Sequence, residues 1–86
     1  MTTYSFRIFL SRDLTDNEVE SLYGDFYEDG GVHSAVIGGV PELACDLPAV
    51  SLDAALRRVL GWLEPHGVEA LRVELEQGDI EAVRAA

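Results

Sequence analysis

Positive charge, a second cysteine and any long apolar run are what this chain is short of. Six basic residues stand against sixteen acidic ones, a net charge of −10. Such a surface repels a phosphate backbone, where a nucleic-acid binder would release counterions from it. Direct nucleic-acid binding is therefore not expected. The single cysteine, Cys45, can form no internal disulfide, so the fold does not depend on an oxidising compartment, and the cytoplasm is the expected location. No stretch approaches the ~20 apolar residues of a membrane span. Met1 to Phe9 also lacks a charged segment followed by a long apolar run, so neither insertion nor export is expected.

What is present is ordinary globular material, 48% apolar and 26% charged over 86 residues, enough for one core and no second. We expect a single domain over residues 1–78 and a short tail with helical potential over 79–86.

Tyr4 to Ser11 alternates, with Tyr4, Phe6, Ile8 and Leu10 on one face and Arg7 and Phe9 on the other, the pattern of a half-buried strand. Thr15 followed three residues later by Glu18 is a capping box, and Val19, Leu22, Tyr23 and Phe26 recur at helical spacing behind it as the expected buried stripe. Val32 to Ile37 and Val40 to Leu47 flank Gly38-Gly39, a two-residue hairpin turn, with Pro48 expected to close the second strand. Ser51 is placed to cap a helix whose stripe is Leu52, Ala55, Leu56, Val59, Leu60 and Leu63, with Trp62 at its edge and Pro65 and Gly67 as its stop. Val68 to Leu75 alternates again and supplies a fourth strand. The expected fold is α+β, a ferredoxin-like βαββαβ two-layer sandwich with two helices on one face of an antiparallel sheet of order 4-1-3-2.

Asp13-Leu14-Thr15-Asp16, Gly39-Val40-Pro41, Ser51-Leu52, Gly67-Val68-Glu69 and Arg72-Val73-Glu74 together resemble the N-terminal ferredoxin-like domain of small uncharacterised bacterial regulators of actinobacterial type. In those proteins the domain precedes a helix-turn-helix segment. The resemblance covers about four fifths of the chain and consists of caps, turns and core positions, so it implies a fold and a regulatory setting, with no catalytic residues to carry over. This chain stops after Asp79-Ile80-Glu81, about where the DNA-reading segment would begin, so DNA binding is not expected to come with the resemblance. Gly30-Gly31-Val32-His33-Ser34 also replaces a segment that usually carries paired acids in that family.

Chemistry-bearing residues are few. Cys45 and His33 are the one thiol and base pair to test, and a hairpin turning at Gly38-Gly39 sets His33 opposite Ala44 and Cys45 opposite Val32, which sends thiol and imidazole to opposite faces. The acids Asp13, Asp16, Glu18, Glu20, Asp25, Glu28 and Asp29 lack the alternating spacing around a glycine that a calcium loop requires. Two histidines and one cysteine without ligand spacing make no zinc site. RNA recognition would need several open-face aromatics in a basic setting, and only Phe9 is offered. No cofactor is expected and the chain is not expected to be an enzyme.

The expected function is that of a non-enzymatic interaction or dimerisation module of a bacterial regulatory system, with a protein partner or a second copy held on the open sheet face. That face should show Phe9, Ala35, Ile37, Val40 and Ala44 beside Arg7, Arg72 and Glu74. Two alternatives remain open. One is an acidic antitoxin- or immunity-type protein neutralising a basic partner through Asp16, Glu20, Asp25 and Glu28. The other is a small-molecule sensor domain.

Overall fold

The computed structural model describes residues 2–26 and 31–75. Strand β1 (Thr2–Leu10) leads to helix α1 (Asp16–Phe26), then to strands β2 (Gly31–Ile37) and β3 (Val40–Ala49), helix α2 (Leu52–Leu63), a single 3-10 turn at Glu64–His66 and strand β4 (Ala70–Leu75). The strands form one antiparallel sheet in the order β2-β3-β1-β4. The helix expected within 79–86 lies outside the described residues.

Each helix begins where its side chains can satisfy the free N–H groups of a first turn. At α1 the backbone N–H of Thr15 donates to Glu18 Oε1 (2.8 Å) and that of Glu18 donates to Thr15 Oγ1 (3.2 Å), the reciprocal exchange of a capping box. At α2 the Ser51 hydroxyl accepts from the N–H of Ala54 (3.1 Å). Gly67, at φ 70°, turns the chain out of the 3-10 segment in a conformation open to glycine and strained for other residues.

The hairpin has the register its turn dictates. Gly38 and Gly39 both have positive φ (60° and 80°), as a turn matched to the right-handed twist of its strands requires, and Ile37 pairs with Val40. Pairing then runs on to His33 with Ala44 and Val32 with Cys45.

Pro48 does not close β3. The strand continues to Ala49, with Pro48 paired to Thr3. It is tolerated because, among the described residues, β2 pairing begins at Asp46 and β3 beyond that point is paired with β1 alone. Pro41 sits at the other limit, paired with Val36 of β2 just past the last β1 partner at Glu42. The two prolines thus bracket the stretch Glu42–Asp46, in which β3 is paired on both sides.

One parity of the sheet, including Phe6, Ile8, Leu10, Val32, Leu43, Cys45 and Leu47, joins Leu22 and Phe26 of α1 and Ala55, Val59, Trp62 and Leu63 of α2 in a single core. At ~1.5–3 kcal/mol for each large apolar side chain removed from water, this contact is the main source of stability. Both helices are rotated from the expected stripes. On α1, Leu22 and Phe26 are buried while Tyr23 is exposed. On α2, Trp62 is taken into the core and Leu60 is left at the surface. The physical reason is the size and polarity of Trp62: an indole buries large apolar area once its N–H finds an acceptor, and Nε1 donates to Asp25 Oδ2 of α1 (2.9 Å).

β4 departs from simple alternation. A register shift between Phe9 and Leu10 pairs Phe9 with Arg72 but Leu10 with Ala70, so Leu71 is the extra residue of a bulge and stands 64% exposed. Beyond it, Ser11 N–H donates to the Glu69 carbonyl (2.9 Å) and the Ser11 hydroxyl accepts from Glu69 N–H (3.0 Å).

Candidate functional site

The sheet parity pointing away from the core carries Ser5, Arg7 and Phe9 on β1, His33, Ala35 and Ile37 on β2, Val40, Glu42, Ala44 and Asp46 on β3, and Arg72 and Glu74 on β4. The register brings all eight sequence-predicted face residues onto this one surface: Arg7 between Ala44 and Glu74, Phe9 between its partners Glu42 and Arg72, and Ala35 and Ile37 opposite Glu42 and Val40. Ile37 and Val40 are 58% and 45% exposed, whereas Phe9, Ala35 and Ala44 are half-buried. The Arg72 guanidinium lies 4.3 Å from the centre of the Phe9 ring and 3.9 Å from Glu74, so an arginine covers the aromatic and is held by a carboxylate. The Ser5 hydroxyl donates to Asp46 across the β1–β3 pair.

Glu42 is the residue of this face that sequence reasoning missed. It is only 4% exposed, between Phe9 of β1 and Ala35 of β2 in the register, with Arg72 of β4 one strand further on, opposite Phe9. Its position was recoverable from parity, since it alternates with Val40 and Ala44, but its burial depends on side chains brought from two other strands.

The thiol is inert in this setting. Cys45 is buried on the core side, and desolvation, reinforced by the neighbouring Asp46 carboxylate, pushes its pKa up to about 12. His33, opposite Ala44, is exposed on the other parity and meets the Tyr23 ring edge-on at 6.1 Å. No group of three or more His, Cys, Asp or Glu side chains able to hold a metal occurs among the described residues.

On the helical side, the acids divide into engaged and free. Arg12 makes a bidentate pair with Glu18 (2.8 and 2.9 Å) and also donates to the carbonyls of Asp13 and His66 (both 2.9 Å), tying the start of α1 to the 3-10 turn. That arginine, with the Thr15 N–H second, holds the Glu18 carboxyl down at about 2. His66 stacks on Trp62 at 4.0 Å, and its Nδ1 is 3.9 Å from Glu18. Of the acidic face expected on α1, Asp16 and Glu20 are exposed, Asp25 accepts the Trp62 N–H, and Glu28 lies outside the described residues. An open groove of about 500 Å³ runs between Leu60, Leu63 and Glu64 on one side and Val68 to Ala70 on the other. No helix among the described residues is long and apolar enough to cross a membrane.

No family model matches this chain, and neither a curated protein nor a solved structure matches it.

Proposed function

We infer that this domain is a non-enzymatic protein-interaction module that docks a protein partner on its open sheet face, within a bacterial regulatory system of the kind its caps and turns resemble. The observation that carries this reading is the exposed pair Ile37 and Val40 at the hairpin end of a surface that also presents Phe9 under Arg72. A contiguous exposed apolar patch on a sheet marks an interaction surface more often than chance, and sheets pack well face to face. Charge supports the choice. The face carries Arg7 and Arg72 against Glu42, Asp46 and Glu74, so it holds one unit of a net charge of −10, and a partner meets far less repulsion or counter-charge demand there than elsewhere. The element order and the strand order β2-β3-β1-β4 support the finer reading of the fold as ferredoxin-like.

The acidic neutraliser is the weaker alternative, because Asp25 is engaged by Trp62 and the free acids of α1 reduce to a small set. The test is retention of a partner from the native cells by tagged wild type and by Ile37→Asp and Val40→Asp. Loss on both substitutions is expected; undiminished retention sinks the interface.

A further inference from the structure

Beyond that reading, we propose that two copies of this chain pair edge to edge through β4, antiparallel and centred on Val73, to make one continuous eight-stranded sheet. Among the described residues β4 ends the strand order, so one of its sides is paired with β1 and no described strand pairs with the other, which leaves N–H and C=O groups there for a partner strand. Protected edges carry proline, lysine, inward-pointing charge or a bulge; the bulge of β4 falls at Leu71, ahead of the Arg72, Val73 and Glu74 proposed to pair. Ala70-Leu71-Arg72-Val73-Glu74-Leu75 has neither proline nor lysine, and its two charges share the face away from the core. Five of its six residues are exposed, including Leu71 at 64% and Val73 at 37%.

Of the registers centred on Arg72, Val73 and Glu74, only the one on Val73 opposes unlike charges. In a two-fold antiparallel pair, directly opposed residues must project to the same face. Centring on Val73 sets Arg72 opposite the partner's Glu74 and Glu74 opposite the partner's Arg72, giving two opposite-charge pairs on the open face. It also sets Val73, 37% exposed in the single chain, against its own copy. Moving the centre to Arg72 opposes two arginines, and moving it to Glu74 opposes two glutamates; like charges directly across a sheet are destabilising. The other edge strand, β2, has no such device: Gly31-Val32-His33-Ser34-Ala35-Val36-Ile37 contains no Asp, Glu, Arg or Lys, so nothing electrostatic selects a register there. The paired sheet presents two open faces side by side.

The test is solution mass across a concentration series in about 0.15 M salt, where repulsion between acidic bodies is largely screened. Wild type is expected as a dimer. Arg72→Glu leaves only carboxylates on the edge and Glu74→Arg only guanidiniums, so each alone is expected to weaken self-association roughly tenfold or more. The two variants mixed are expected to form a dimer with one chain of each, because every opposed pair is then again of opposite sign. Both residues are well exposed, with side chains 67% and 56% accessible, and circular dichroism checks that the variants fold. Ile37→Asp is expected to leave this dimer intact, so the edge pairing and the open-face docking fail separately. A wild-type monomer at every concentration, single variants that dimerise like wild type, or a mixture that stays monomeric each overturns the proposal.

Discussion

The two faces of the sheet are made by alternate residues of the same four strands and have opposite fates. On the helix side Phe6, Ile8, Leu43 and Leu47 are sealed beneath α1 and α2; on the other side Ile37 and Val40 stand in water beside the covered ring of Phe9. A strand cannot prefer one face without its neighbours agreeing, so the difference is enforced by the register that Gly38-Gly39 imposes at the hairpin. The lesson is that the core and the open face proposed for docking are written in the same strands at alternate positions. Substitutions on one face should therefore move folding, and on the other binding.

The largest break in this comparison comes from the covered face. Leu43→Ala removes a fully buried side chain at the centre of the core, and a loss of about 2–5 kcal/mol is expected from transfer and cavity costs, read by urea unfolding. Next is the clasp between the helices. Trp62→Phe deletes the N–H to Asp25 while keeping an aromatic body, and a loss of about 1–2 kcal/mol is expected by the same measurement. Thr15→Ala removes one arm of the capping box and should cost about 1 kcal/mol.

The pH dependence sharpens the helical side further. Glu18 is held at about 2 by Arg12 and the Thr15 N–H, below the roughly 4.3 of an unfolded glutamate. A depressed folded pKa contributes stability that is complete above the unfolded value and is lost as pH falls from there through about 2. Glu18→Gln should therefore flatten the acid limb of a stability–pH curve in that window and leave its shape above pH ~5 unchanged. The smallest folding effect belongs to the open face, where Ile37→Asp is expected to shift stability by no more than about 0.5 kcal/mol. A loss as large as that of Leu43→Ala would mean that the open face is core and would erase the distinction between the two faces.

Local devices were legible in the sequence because their chemistry is contained within a few residues. Thr15 with Glu18, Ser51 and the Gly38-Gly39 turn each fix geometry through bonds or dihedrals of their own segment. The hairpin register followed from the turn, and with it the separation of Cys45 from His33. What escaped depends on distant partners. The Asp25 acceptor of the Trp62 N–H lies thirty-seven positions away; Pro48 continues its strand where, among the described residues, β3 is paired with β1 alone; Leu71 is displaced by a bulge against β1. Glu42 shares its parity with residues placed on the open face, but its near-complete burial comes from a surface assembled out of three strands.

The most direct test of the docking account is partner retention measured side by side for wild type, Val40→Asp and the triple change Asp16→Asn, Glu20→Gln and Asp25→Asn. The account predicts that Val40→Asp abolishes retention while the triple variant keeps it. The reverse, retention by Val40→Asp and loss on neutralising α1, would contradict it and move recognition from the sheet to the acidic helix.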